Sequence, residues 1–271
     1  MNRRLRYSHC QTNALAGNQF HRFANNHALV HYESGAVYSF IPKNGCSTLR
    51  LSLAIANGCI RDASQHAWIH QNNNTFVATL ADLIRTPYAF VILRCPFARL
   101  ASVYLDKIVG HTYEAWALID LLDRDRPLNS LTFDAFVRLI QSSKILNGNI
   151  HWCPQVNFLV YEEYDDYFNL ADMSTASKRI QEKCGLILHD ARPLTRHGSD
   201  QCVVSDEFES PHLIPPVDLL QAKTQGQLPS PKSLFTDELI NIVKTVYAKD
   251  FELFVRLFGE QALMFPYGKP E

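Results

Sequence analysis

The spacing of apolar and polar positions changes along the chain, and each change of period predicts an element. Ala36, Tyr38 and Phe40 alternate with Val37, Ser39 and Ile41 in a β-rich stretch, which predicts a strand over 36–41. Pro42-Lys43-Asn44-Gly45 punctuates it, and Leu49, Leu51, Leu53, Ala54 and Ile55 then predict a helix over 48–57 that Gly58 closes. Residues 88–93 are continuously apolar, the mark of a strand buried on both faces of a parallel sheet, and Pro96 suits the first turn of a helix running to about 108. Helices are expected over 132–142 and 174–184, the second closed by Gly185, with a strand near 164–170 and one long amphipathic helix over 237–257. Residues 1–28 read as an irregular lead-in. Residues 202–232, with Pro211, Pro215, Pro216, Pro229 and Pro231, read as a surface loop or lid. Strands alternating with helices predict an α/β fold in a single domain spanning 1–271, with a central, mainly parallel sheet between helices.

Composition narrows the partners. Hydrophobic residues make up 46% and charged residues 20%, values of a globular chain, and the net charge of −1 provides no basic field to draw it onto nucleic acid or an anionic membrane. Any anion it binds must be held locally. No apolar stretch approaches the roughly 20 residues of a transmembrane segment. The polar residues 9–13 after Arg3, Arg4 and Arg6 lack the apolar core of a signal peptide, so a cytoplasmic protein is expected. The seven cysteines are odd in number and form no C-x-x-C pair, which argues against a disulfide framework or a structural zinc site and suits a reducing compartment.

Two segments carry candidate chemistry. In the first, residues 40–50, a strand gives way to a helix. A loop there turns backbone N–H groups toward one point, and the positive end of the helix dipole adds to them. Gly45 lets the backbone approach an anion closely, Ser47 and Thr48 supply hydroxyls, and Lys43 supplies a point charge. The loop is not a Walker A sequence, because the lysine precedes the glycine. The order strand, Pro-Lys-x-Gly-x-[Ser/Thr]-[Ser/Thr], helix resembles the 5′-phosphosulfate loop of sulfotransferases that use 3′-phosphoadenosine 5′-phosphosulfate (PAPS). Cys46, Leu49 and Arg50 bring it nearest to the carbohydrate sulfotransferase branch. In the second segment, Arg94 ends a predicted buried strand and Ser102 lies on the following helix, an arrangement able to grip one phosphate. It resembles that family's 3′-phosphate signature, Arg-[Asp]-Pro-x-x-Arg-x-x-Ser-x-Tyr, at Arg94, Pro96, Phe97, Arg99, Leu100, Ser102 and Tyr104, with Cys95 where aspartate is usual. Residues 149–155 resemble the branch's His-Trp-x-Pro-Gln segment, and Tyr247, Asp250 and Phe251 its closing helix. The usual glutamate near 170 is absent, and 58–87 and 202–232 carry no match.

The resemblance implies a P-loop-like three-layer sandwich and transfer of a sulfuryl group from PAPS to a carbohydrate or glycolipid hydroxyl, without a metal. Lys43 would stabilise the leaving oxygen, the loop from Asn44 and Gly45 through Cys46, Ser47 and Thr48 would hold the sulfate and 5′-phosphate, and Arg94 and Ser102 the 3′-phosphate. His151 would accept the acceptor's proton, since imidazole titrates near neutral pH, and Trp152 would pack on a sugar face. Other readings stand beside these. His151 can belong to a structural corner, and the chain can be a magnesium-dependent kinase on a related fold, or a member that binds nucleotide or glycan without turnover. Arg99 reads as a brace, His66 and His70 as an ordinary helix pair, and Asp165 and Asp166 as a solvated turn. Arg192, Arg196 and His197 form a basic cluster that either reaches a ligand anion or lies in solvent.

Overall fold

The apolar runs place the sheet. The computed structural model describes residues 3–9, 14–72, 74–122, 126–194 and 202–267. In it, β1 (Ala28–His31) pairs antiparallel with β2 (Ala36–Ser39), β2 pairs parallel with β3 (Ala89–Leu93), and β3 pairs parallel with β4 (Asp166–Asn169). Every residue of β1, β2 and β3 is buried, so this mainly parallel sheet is a middle layer of an α/β fold. Side chains alternate across it. Tyr38, Phe90, Ile92 and Phe168 share one cluster with Leu49 and Leu53 of the Cys46–Ala56 helix and with Ala176 and Ile180 of the Met173–Cys184 helix. Ser39 belongs to the opposite face, where its hydroxyl lies 2.6 Å from that of Tyr164. Gly58 and Gly185 stand just beyond the two helices at φ 73° and 74°, as their closing role predicts.

The described residues group into two compact units, Met1–Arg94 with Gln155–Arg196, and Cys95–Pro154 with His197–Glu271. The sheet belongs to the first. The second is built on aromatic packing: Phe97, Phe133, Phe235, Phe251 and Phe265 meet with ring centroids 4.7 to 5.4 Å apart. No helix among the described residues is long and apolar enough to cross a membrane.

Several expectations are corrected. The lead-in 1–28 is not irregular throughout: Asn18 caps a Gln19–Asn25 helix by accepting from the Phe20 and His21 amides, and β1 begins at Ala28. The strand is four residues long, too short for its alternation to register in the sequence. The 202–232 loop instead contains β5 (Val203–Ser205), the Pro216–Thr224 helix and β6 (Gln227–Pro229), with β5 and β6 parallel. Pro215 and Pro216 sit at the start of the helix and Pro229 at the end of β6, where they are tolerated, and Pro211 opens a 3-10 turn. The helix expected to reach 108 is α-helical only over Pro96–Val103 and continues as a π-helix over Tyr104–Ile108. That wider turn sets Tyr104 against Phe133 and Phe136. The helix expected over 237–257 is two helices, Asp237–Val246 and Ala248–Phe258, parted at Tyr247, whose hydroxyl donates to the Trp152 carbonyl at 2.6 Å. Asp165 and Asp166 are not a solvated turn. Asp165 accepts from Arg3 and from the first amide of β3, Ala89, while Asp166 accepts from the Tyr88 hydroxyl at 2.9 Å and from Arg179 at 3.2 Å.

Candidate active site

In the sheet-bearing unit, β2 leads into a turn that places Lys43 at φ 70° and Gly45 at φ 73° before the Cys46–Ala56 helix. A lysine in the left-handed region stores strain of the kind that accumulates at functional sites. Gly45 is the residue the turn requires, since a Cβ there would also stand 2.9 Å from Leu170 Cδ1. As N-cap, Gly45 has no side chain to offer, so it makes no side-chain capping bond to this helix. The first amides of an α-helix have no intrahelical partner, so Cys46, Ser47 and Thr48 present them at the positive end of the dipole. Thr48 Oγ1 accepts from the Ala191 amide at 3.2 Å, and Ser52 Oγ from that of His189 at 2.8 Å, which ties residues 189–191 to the helix.

Arg94 joins this loop directly: its Nη1 donates to the Lys43 carbonyl at 3.0 Å. Sequence reasoning gave it only a ligand to hold. The structure adds a pin on the strained residue. Gln155, which the sequence placed in a motif without a role, is the second clamp. Its side-chain amide pairs with the Arg94 backbone as a neighbouring strand would, Oε1 accepting from Arg94 N at 3.0 Å and Nε2 donating to Arg94 O at 2.9 Å. Asn44 Nδ2 donates to that same Oε1 at 2.6 Å and to the Ile92 carbonyl at 2.9 Å. Asn44 and Gln155 are both buried, so the loop is fastened to the end of β3 inside the protein. Arg50, one turn into the helix, lies 5.4 Å over the Phe40 ring.

The second unit holds Ser102, half-buried on the Pro96–Val103 helix, and His151. Arg99 is a brace: buried, it donates to the carbonyls of Cys153 at 2.8 Å and Ile150 at 3.3 Å. Trp152 does not offer a face to a sugar. It is 2% exposed, packs on Phe136 and donates to the Ile145 carbonyl at 2.8 Å, so its large apolar ring is core. His151 stays at the margin of this corner with its side chain 19% exposed, and its Nδ1 lies 2.9 Å from Asn149 Oδ1 and 3.5 Å from Glu114 Oε1. Glu114 Oε2 accepts from Thr112 at 2.6 Å, and its Oε1 lies 3.3 Å from Lys107. Burial works against ionisation of Glu114, but the Thr112 hydroxyl, its own helix amide, Lys107 and His151 outweigh it and hold the carboxyl below its ordinary range. Nothing in the sequence marked Glu114.

Among the described residues no group of histidine, cysteine or acidic side chains can hold a metal. His66 and His70 lie in the first unit outside the loop, and Arg192 pairs with Asp190 at 2.7 Å; Arg196 and His197 lie outside the described residues.

A lysine-bearing turn at the end of a strand, followed by a helix start whose first amides have no intrahelical partner and which stands beside an arginine, is an arrangement suited to an anionic group. The comparisons make the class specific. Residues 26–255 match the sulfotransferase family model, and the chain belongs to the sulfotransferase family. It is similar to carbohydrate sulfotransferase 14 of Danio rerio, 25% identical over 183 residues, an alignment covering 60% of this chain and 49% of that protein. The chain thus spans about half the length of that curated relative. No solved structure matches.

Proposed function

We propose that the chain transfers a sulfuryl group from PAPS to a hydroxyl of a carbohydrate or glycolipid acceptor. The observation that carries the reading is the uncapped start of the Cys46–Ala56 helix, next to Lys43 and to an Arg94 that holds the Lys43 carbonyl. Membership of the sulfotransferase family supports PAPS as the donor, and the likeness to a carbohydrate sulfotransferase supports a sugar acceptor.

In this reading the amides of Gly45, Cys46, Ser47 and Thr48, with the Asn44 turn behind them, receive the sulfate and 5′-phosphate oxygens. Lys43 neutralises the bridging oxygen as the bond between sulfur and that oxygen breaks. Arg94 and Ser102 take the 3′-phosphate, as the family signature implies. His151 Nε2 receives the proton of the acceptor hydroxyl as its oxygen bonds to sulfur. By analogy with phosphoryl transfer, positioning and charge neutralisation supply most of the rate, and no step here needs a metal.

The test is incubation with sulfur-labelled PAPS and a panel of glycans and glycolipids. Label should appear on an acceptor without added magnesium and should fall by about 10²–10³ in rate with Lys43→Ala. Magnesium-dependent phosphoryl transfer from ATP would overturn the reading in favour of a kinase. Nucleotide binding without turnover on any acceptor would leave a binding protein.

A further inference from the structure

Around His151 the hydrogen-bond donors and acceptors fix a tautomer. The His151 backbone N–H, which can only donate, points at Asn149 Oδ1 at 2.9 Å, so the atom there is the amide oxygen and not its nitrogen. That oxygen also lies 2.9 Å from His151 Nδ1. An amide oxygen only accepts, so Nδ1 must carry the hydrogen. A second acceptor, Glu114 Oε1, stands 3.5 Å from Nδ1. Glu114 is itself fastened: Thr112 donates to Oε2 at 2.6 Å, Lys107 lies 3.3 Å from Oε1, and Lys107 is 3.6 Å from Asp106. A neutral imidazole with its hydrogen on Nδ1 has its basic lone pair on Nε2.

We propose that Asn149 and Glu114 are positioning residues for His151, locking its Nδ1–H tautomer so that Nε2 takes the acceptor's proton, and that Glu114 stabilises the imidazolium this creates. The proposal rests on the reading of His151 as the base. No redox change is involved: the acceptor O–H bond breaks, its proton passes to Nε2, and the positive charge on the ring is shared with Asn149 Oδ1 and the Glu114 carboxylate. Among the described residues, charged groups near the ring include Glu114, Lys107 and Asp106, together with Arg99, which donates to the Ile150 carbonyl. Glu114 Oε1 lies 3.5 Å from the ring nitrogen Nδ1.

The experiment reads the ring directly in the full chain. Nitrogen-15 NMR of histidine-labelled protein, with His151 assigned by its loss in His151→Ala, reports which nitrogen is protonated and the pH at which the ring titrates. The neutral ring should show hydrogen on Nδ1. Glu114→Gln, nearly isosteric, should lower the titration midpoint of His151 by about one pH unit, because an adjacent carboxylate favours the charged ring. The acidic limb of the kcat/KM profile should move down by the same amount, while KM for the nucleotide stays within about twofold. Asn149→Ala should give a mixed tautomer and reduce kcat about tenfold or more, and Asn149→Asp should restore both. A neutral wild-type ring protonated on Nε2 would overturn the proposal even if Asn149→Ala failed to fold. So would a Glu114→Gln protein that melts normally with its titration and pH profile unmoved. If the tautomer and titration respond as stated but His151→Ala keeps its turnover, the positioning stands and the assignment of His151 as base is what fails.

Discussion

Lys43 combines the charge assigned to it in the proposed reaction with a left-handed backbone, and substitution can separate the two. If Lys43 acts on the leaving oxygen as proposed, Lys43→Ala should lower turnover by about 10²–10³ while affinity for the desulfated nucleotide changes far less. Lys43→Gly should lose as much turnover yet be at least as stable as the wild type, because glycine relieves the strain at φ 70°. Paired thermal melts and single-turnover rates check this, and a glycine variant less stable than the alanine variant would refute the strain. Gly45→Ala has the opposite sign, losing about 1–2 kcal/mol by urea unfolding because it forces a Cβ into the left-handed region. Glu114 makes the pH argument at this scale. Its folded pKa lies below the ordinary value, so its contribution is present above the ordinary glutamate range and lost as pH falls through the lowered one. The melting temperature of the wild type should therefore drop more steeply on acidification than that of Glu114→Gln, and parallel curves would contradict the cause given.

At the scale of elements, the buried Gln155 side chain bonds both the end of β3 and the Lys43–Gly45 loop, beside the direct Asn44–Ile92 and Arg94–Lys43 bonds. Gln155→Ala would remove three hydrogen bonds, two to the Arg94 backbone and one to Asn44. Stranding buried polar groups costs about 1–3 kcal/mol each, part of which water recovers, so about 2–4 kcal/mol of stability should be lost. Nucleotide affinity should fall with it, because Asn44 and Arg94 both position Lys43 and Gly45. Loss of stability with unchanged affinity would mean that the clamp serves the sheet alone. This coupling also changes what Arg94→Ala reports, since that variant removes the pin on the Lys43 carbonyl together with any phosphate contact. The long amphipathic run near the end of the chain shows a tertiary override of the same kind: its apolar face continues through Tyr247, yet the helix breaks there, where the tyrosine hydroxyl meets the Trp152 carbonyl.

For the whole molecule the relevant quantity is linkage. A chain of net charge −1 has no general attraction for anions, so a nucleotide has to be held by local donors, which the proposal places in the Lys43–Thr48 loop, Arg94 and Ser102. A ligand at a hundred times its dissociation constant stabilises the folded state by about 2.7 kcal/mol. The 3′-phosphorylated, desulfated nucleotide should therefore raise the melting temperature in a concentration-dependent way, and AMP or the 2′-phosphate isomer should do much less. Equal stabilisation by ATP would remove the basis for the Arg94 and Ser102 assignment.

The sequence by itself determined what depends on neighbours along the chain. The apolar run at 88–93 made a buried strand, Gly45 at the junction and Gly58 and Gly185 past their helices took left-handed conformations, and the lysine-bearing turn stood between strand and helix. These follow from backbone sterics and from the period with which a segment must bury its side chains. The family was legible for the same reason, since its loop and strand–helix signatures are local. Only the tertiary structure decided which residues meet across long stretches of chain: Asn44 with Gln155, separated by 111 positions, Arg94 with Lys43 by 51, and Glu114 with His151. It also buried Trp152, divided the last amphipathic run at Tyr247, and turned Asp165 and Asp166 into anchors for β3 and its neighbours. Such pairings leave no periodicity in the sequence, because a hydrogen bond between distant residues is specified by where the fold brings their backbones and not by what stands beside them in the chain.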